Sequence, residues 1–378
     1  MEFIDLRAQF VHIEEDVLNR VEAVIRSQQF IHGPEIYELE HKLAEFVGTK
    51  HAITCSSGTD ALLMPLMAYE LSATDAVFVP SFSFFASAES ITLAGGTPVF
   101  VDSDPITFNM CSKNLQQAIE KTKAEGKLNP RGIITVDLFG CPADYDAFEP
   151  LKKEYGLFLL DDAAQGFGGE YKRKRIGSFG DVAATSFFPA KPLGCYGDGG
   201  AIFTDNDELA QLITSIRVHG QGKDKYDNVR IGLNGRMDTM QAAILLAKLS
   251  VFEQEIIERN RVAKTYSELL RDIVQTPIIP EGLRSVWAQY TITVCSEQTR
   301  NKIIEKLKLK GIPTAVYYRT PIHLSTAYKS LGYQSGDLPN CESLSKRVLS
   351  LPMHPYLSND DIHSIVTAIR EVYEQTSP

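Results

Sequence analysis

Long apolar runs are the first thing missing: no stretch of this 378-residue chain reaches the length of a transmembrane helix. The opening, Met1-Glu2-Phe3-Ile4-Asp5, has neither the basic n-region nor the apolar h-region of a secretory leader, so a cytoplasmic protein is expected. Positive charge is also short. Lys and Arg total 38 against 48 Asp and Glu, a net charge of −10. That excludes broad binding to nucleic acid or acidic membranes, which need a basic surface. It leaves room for a small phosphorylated ligand held by a few local donors. Cysteine is sparse and scattered, at 55, 111, 141, 195, 295 and 341, with no CxxC pair, so neither a disulfide framework nor a zinc site is expected. The eight histidines show no metal-ligand spacing, and no metal is expected. No strand is followed by GxGxxG, and Phe167-Gly168-Gly169 lacks that frame, which argues against a nicotinamide oxidoreductase. Internal repeats, low-complexity segments and linkers are absent as well.

What is present is the balance of an ordinary globular protein, 44% hydrophobic and 23% charged. From about residue 50 to 205, apolar runs alternate with helical patterns. Strands are predicted at 76–79, 98–101, 133–136, 157–160, 182–187 and 201–204, with a short helix near 86–94 ending at Gly95-Gly96. Continuous apolar strands separated by helices predict an α/β fold, a mainly parallel sheet covered on both faces. Ligands gather at the carboxyl ends of such strands. Leu245, Leu249, Phe252, Ile256, Ala263, Tyr266 and Leu270 then form one apolar stripe on a long helix. Its length predicts a bridge into a smaller α+β domain, with a strand at 290–294, a helix at 300–310, a strand at 314–318 and a closing helix. Ser358 with Asp361 reads as a variant capping box for that last helix.

Three segments carry chemistry. In Ser186-Phe-Phe-Pro-Ala-Lys191-Pro-Leu-Gly-Cys-Tyr-Gly-Asp-Gly-Gly200, a lysine sits just past a strand end between two prolines. Pro189 and Pro192 fix the path and the glycines permit close backbone approach. Such a loop suits a positioned amine better than a solvated surface charge. In Leu159-Leu160-Asp161-Asp162-Ala163-Ala164-Gln165, acids stand at a buried strand end, where a carboxylate must be paired. A protonated pyridine nitrogen is one such partner, and capping of the next helix accounts for at most one of the two acids. In Ser56-Ser57-Gly58-Thr59-Asp60-Ala61-Leu62, small residues lead into a helix whose free N–H groups suit an anion, although a plain N-cap explains the same residues.

Together with Gly232-Leu-Asn234-Gly-Arg-Met-Asp238, these segments resemble the DegT/DnrJ/EryC1/StrS family, sugar aminotransferases of the fold-type-I pyridoxal-phosphate class. The resemblance runs from Phe3-Ile4-Asp5-Leu6 to Ser350-Leu-Pro-Met-His354. It implies a large pyridoxal-phosphate domain over residues 1–245, with an N-terminal arm, and a smaller one over 246–378. It also implies roles. Lys191 forms the Schiff base with pyridoxal 5'-phosphate, and Asp162 pairs with the ring nitrogen. Gln165 lies near the ring's phenolic oxygen, and Phe84 stacks on the ring, with Phe85 a rival. Gly58, Thr59 and Ser186 hold the phosphate, helped by Asn234 of the neighbouring subunit, which makes a homodimer with shared active sites the expected minimum. Lys172-Arg-Lys-Arg175 resembles the family's hairpin turn rather than a nucleic-acid patch. His219 faces either the substrate or the interface.

The implied reaction moves an amino group from an amino-acid donor, L-glutamate, to a nucleotide-linked keto-sugar. The 187–203 stretch, His219-Gly-Gln221 and Arg230 are similar to the branch that aminates UDP-2-acetamido-2-deoxy-3-oxo-glucuronate for lipopolysaccharide O-antigen. Arg230, a planar guanidinium, suits the uronate carboxylate. Tyr317 and Tyr318 depart from the His-Tyr that relatives carry, and are expected to touch substrate in a different way. A neutral 3-keto or 4-keto sugar is the alternative substrate. A dehydratase branch replaces the lysine with histidine, so Lys191 argues against it. A non-catalytic regulator that keeps the pocket is the alternative of a different class.

Overall fold

The computed structural model describes residues 1–224 and 226–374. Two helices come first, α1 (Leu6–Ser27) and α2 (Pro34–Val47). Proline starts the second at its first position, and Gly48 stops it in the left-handed region. The chain then alternates through β1 (His51–Cys55), α3 (Gly58–Ala68), β2 (Asp75–Pro80), α4 (Ala86–Leu93) and β3 (Thr97–Val101). It continues through α5 (Ser112–Glu125), β4 (Asn129–Val136), α6 (Tyr145–Tyr155) and β5 (Phe158–Asp162). A hairpin of β6 (Glu170–Tyr171) and β7 (Lys174–Arg175) precedes β8 (Val182–Ser186), β9 (Gly200–Thr204), α7 (Asp207–Arg217) and the 32-residue α8 (Thr239–Leu270). Lys172 and Arg173 make the hairpin turn, both with positive φ, so the basic run is the predicted turn.

Seven strands form one sheet in the order β1-β9-β8-β5-β4-β2-β3. Only β9 runs against its neighbours, β1 and β8. Every residue of β5 and β9 is buried, because helices cover both faces and leave no side to water. The predicted strands lie where the apolar runs placed them. Parallel running brings the carboxyl ends of β2, β4, β5 and β8 to one edge, and the site assembles there.

The stripe on α8 serves two cores. Leu245, Phe252 and Ile256 pack with Phe167, Phe187 and Phe203 near the sheet, while Ala263, Tyr266 and Leu270 pack with Tyr290, Ile292, Leu349 and Ile369. Full burial of each large apolar side chain is worth about 1.5–3 kcal/mol, so both ends of the helix are firmly held. The C-terminal region contains β10 (Leu283–Arg284), which pairs with β6, then β11 (Tyr290–Thr293), α9 (Glu297–Leu309), α10 (Pro339–Arg347), β12 (Val348–Leu351) and α11 (Asn359–Glu374). Ser358 caps α11 through the Asp361 amide at 3.1 Å and donates to the Asp361 carboxylate at 2.7 Å, the expected box.

One strand expectation is corrected. Residues 314–318 are not a strand; Ala315 alone bridges to Ser350, and β12 is the partner of β11. All four residues of β12 are buried, whereas 314–318 is half-buried and sends Tyr318 toward Phe82 and Phe84 instead of into a ladder. Among the described residues, no helix is long and apolar enough to cross a membrane.

Candidate active site

Asp162 is the last residue of β5. Alternation along the strand turns its carboxylate to one face of the sheet and Asp161 to the other. Asp162 is buried; its Oδ2 accepts from Ser87 Oγ at 2.6 Å and its Oδ1 from the Ala164 amide at 3.2 Å. Burial pushes its carboxyl above the ordinary range, and Ser87, Lys191 and the Ala164 amide oppose that shift. Of the two acids, Asp162 therefore faces the lysine. Asp161 instead bonds to Tyr145 and Thr135.

Lys191 lies in the loop between β8 and β9. Its own amide donates to the Phe188 carbonyl at 2.8 Å, and the loop beyond it is tied by Cys195 N to Phe187 O and by Tyr196 N to Gln241 Oε1, at 2.8 and 2.9 Å. Burial pushes the Lys191 amine below the usual lysine range, with Asp162 pulling the other way. The result is a positioned amine that gives up its proton more readily than a surface lysine does.

The N-terminus of α3 abuts the end of β8. Ser57 caps the helix, accepting from the Asp60 amide at 3.0 Å. The N–H groups of Gly58 and Thr59 have no intrahelical acceptor and leave the helix end free for an anion. A Cβ added at Gly58 would lie 2.5 Å from Ser186 Cβ and 2.8 Å from its Oγ. Glycine is thus required for the helix end and Ser186 to meet. Two of the three predicted phosphate residues, Gly58 and Ser186, meet there, and Thr59 follows on the same helix end.

Gln165 is buried on the turn after β5. Its Oε1 accepts from the Phe139 amide at 2.8 Å and its Nε2 donates to Tyr318 Oη at 3.0 Å. Burial pushes the Tyr318 phenol up, so it keeps its proton to donate. Tyr317 is half-buried against Phe3, ring centres 6.4 Å apart. The two phenylalanines part: Phe85 packs on Tyr328 at 5.5 Å, while Phe84 is 54% exposed beside Tyr318. Phe84 is the more exposed of the two. Arg230, Asn234 and His219 are exposed. Arg230 donates to Ser215 Oγ, Asn234 bridges Val218, and the His219 carbonyl accepts from Asn228 at 2.8 Å.

Residues 11–370 match the DegT/DnrJ/EryC1/StrS aminotransferase family. The chain belongs to this family. It is 44% identical over 371 residues to the UDP-2-acetamido-2-deoxy-3-oxo-D-glucuronate aminotransferase of Pseudomonas aeruginosa, covering 98% of this chain and 99% of that one. It is 37% identical over 370 residues to the UDP-N-acetyl-3-dehydro-alpha-D-glucosamine 3-aminotransferase of Acidithiobacillus ferrooxidans, covering 97% and 96%. The crystal structure of a family aminotransferase from Brucella abortus superposes with a TM-score of 0.95 at 49% identity, over 98% and 99% of the two chains.

The family's cofactor is pyridoxal 5'-phosphate, and the residues present fit it. A helix end with no room for a side chain at Gly58 suits a phosphate. The buried Asp162 carboxylate calls for a cationic partner, and a protonated ring nitrogen is one. Sequence reasoning missed Ser87, which fixes Asp162, and Asp137 and Tyr145, which hold Asp161. For Ser87 a signal existed, a hydroxyl within the buried run Ala86-Ser87-Ala88.

Proposed function

We propose that this aminotransferase moves an amino group from L-glutamate to carbon 3 of UDP-2-acetamido-2-deoxy-3-oxo-glucuronate, in the cytoplasm, for lipopolysaccharide O-antigen synthesis. The observation that carries the substrate reading is the 44% identity, along the whole of both chains, to an enzyme named for that sugar. The neutral alternative, a 3-keto sugar without the carboxylate, is favoured by the 37% identity to the glucosamine enzyme. Both place the ketone at carbon 3.

In this reading pyridoxal 5'-phosphate supplies the electron sink that stabilises charge on the carbon losing its proton. Nζ of Lys191, with its proton affinity lowered by burial, would move a proton between the reacting carbon and the cofactor, off the donor's α-carbon in the first half-reaction and onto sugar carbon 3 in the second. Asp162, pinned by Ser87 and the Ala164 amide, holds a negative charge against the ring nitrogen. Gly58, Thr59 and Ser186 bind the phosphate, and Phe84 covers one face. Gln165 and Tyr318 orient polar groups at the rim, with Tyr317 beside them. The proposed division into domains at 245/246 falls within α8, among the described residues the one helix shared by both cores.

The site is completed by a second copy of the chain. Asn234 lies on an exposed segment with Arg230, flanked by Ile231 at 85% and Val229 at 52% exposure, and Ile31 is 50% exposed. Such apolar exposure fits a face covered in a homodimer. Asn234 then reaches the neighbour's phosphate and Arg230 its sugar carboxylate. Arg230→Ala assayed with the keto-uronate and with its neutral 6-hydroxymethyl counterpart tests this. A desolvated charge pair predicts a cost of ~2–5 kcal/mol with the acid only. Equal losses on both substrates remove the uronate reading.

A further inference from the structure

Behind Asp162, on the opposite face of β5, lies a buried acid pair that the reaction as described does not use. Asp137 follows β4, Asp161 precedes Asp162, and both are fully buried. Tyr145, at the start of α6, joins them: its Oη lies 2.8 Å from Asp137 Oδ1 and 2.9 Å from Asp161 Oδ1. A phenol has one proton, so it donates to one of these oxygens only. The other contact needs a proton on the carboxyl group. Asp137 Oδ1 also accepts from the Ala143 amide at 2.7 Å, a shorter and more fixed contact than the 3.2 Å one that Asp161 Oδ1 takes from Thr135 Oγ1, and this favours Asp137 as the anion. The second oxygens of both acids are buried without a hydrogen-bond partner, and two ionised carboxylates in that place would have no cation to balance them. The groups facing the pair are Asp162 from β5, Tyr145 from α6 and the Cys141 thiol, itself pushed up to about 12 by burial and Asp137.

We propose that Asp161 donates its proton to Tyr145 and Tyr145 donates to ionised Asp137, and that this singly charged relay is a positioning device for Asp162. It rests on the reading of Asp162 as the partner of the ring nitrogen. Two contacts link the relay to the site. The Asp137 amide donates to the Asp162 carbonyl at 3.3 Å, and the turn that carries Gln165 sits directly on Asp137. A Cβ at Gly166 would fall 2.3 Å from Asp137 Cβ and 2.7 Å from its Oδ2, so this turn rests on the carboxylate itself. The fixed charge of Asp137 therefore stands behind Asp162 and favours a proton on whatever Asp162 faces. Burial and the neighbouring acids agree, holding Asp161 well above the ordinary carboxyl range and Asp137 at about 7.

Asp161→Asn keeps the shape and lets an amide donate in place of the acid, so the charge survives; Asp137→Asn with Asp161→Asn removes it. Infrared spectra of the cofactor-free protein at about pH 8, above the Asp137 value, are expected to show a protonated-carboxyl carbonyl band that Asp161→Asn abolishes. In the loaded protein, the pH midpoint of the cofactor absorption band should be unchanged in Asp161→Asn. It should fall by about one unit, roughly tenfold in proton affinity, in the double variant. A band absent from the wild type or retained in Asp161→Asn, or a double variant titrating with the wild type, overturns the proposal. A wild type that takes up no pyridoxal phosphate counts against the reading of Asp162, while the infrared result still decides the relay.

Discussion

At the scale of residues, the site is an exchange of desolvation costs. A carboxylate such as Asp162 loses its water at the strand end and receives a hydroxyl, an amide and the field of Lys191 in return. Lys191 is destabilised as a cation by the same burial, so each group is short of a partner until a ligand arrives. Asp162→Asn keeps the shape and removes the charge. Turnover should fall by roughly 10²–10⁴-fold, the scale of losing one group that stabilises transition-state charge. The thermal midpoint should not drop, because burial costs this carboxylate more than its partners return. A near-normal rate in Asp162→Asn, with Asp161→Asn inactive, would assign the role to the wrong acid. Lys191 and Asp162 were legible in the sequence because local features mark them: prolines and glycines around one, an apolar strand before the other. Ser87, Asp137 and Tyr145 were not, since their partners stand across the sheet; Ser87 is 75 positions from Asp162. Phe84 and Phe85 are adjacent and alike, and only packing separates them.

At the scale of elements, the proposed phosphate cup depends on α3 and β8 meeting without a side chain between them. Gly58→Ala puts a methyl group against Ser186 backbone and side chain, with the nearest atom at 2.5 Å. The two elements must part there, and affinity for pyridoxal phosphate should drop about tenfold or more, ~1.4 kcal/mol. Absorbance titration of the cofactor measures this. A variant with unchanged affinity would remove Gly58 from the cup. The parallel strands could be read from continuous apolar runs because both faces are buried, and α8 from its period. β1 carries no such run: His51-Ala-Ile-Thr-Cys55 is short and mixed. The 314–318 segment misled for the opposite reason, since Val316, Tyr317 and Tyr318 have strand-forming side chains that pack on Phe3 and Phe82 beside the site.

At the scale of the whole molecule, the shared-site reading makes assembly part of function. Lys191→Ala protein and Asn234→Ala protein, each inactive alone, should regain activity on mixing, because hybrid dimers hold one intact site. Full activity in a monomer by sedimentation would contradict the shared site. The most direct test of the account follows the nitrogen atom. The loaded protein is incubated with ¹⁵N-labelled L-glutamate and UDP-2-acetamido-2-deoxy-3-oxo-glucuronate, and the sugar product is examined by mass spectrometry. ¹⁵N is expected at carbon 3 with the wild type, and none with Lys191→Ala. No label in any keto-sugar offered, or equal labelling by Lys191→Ala, would contradict the account.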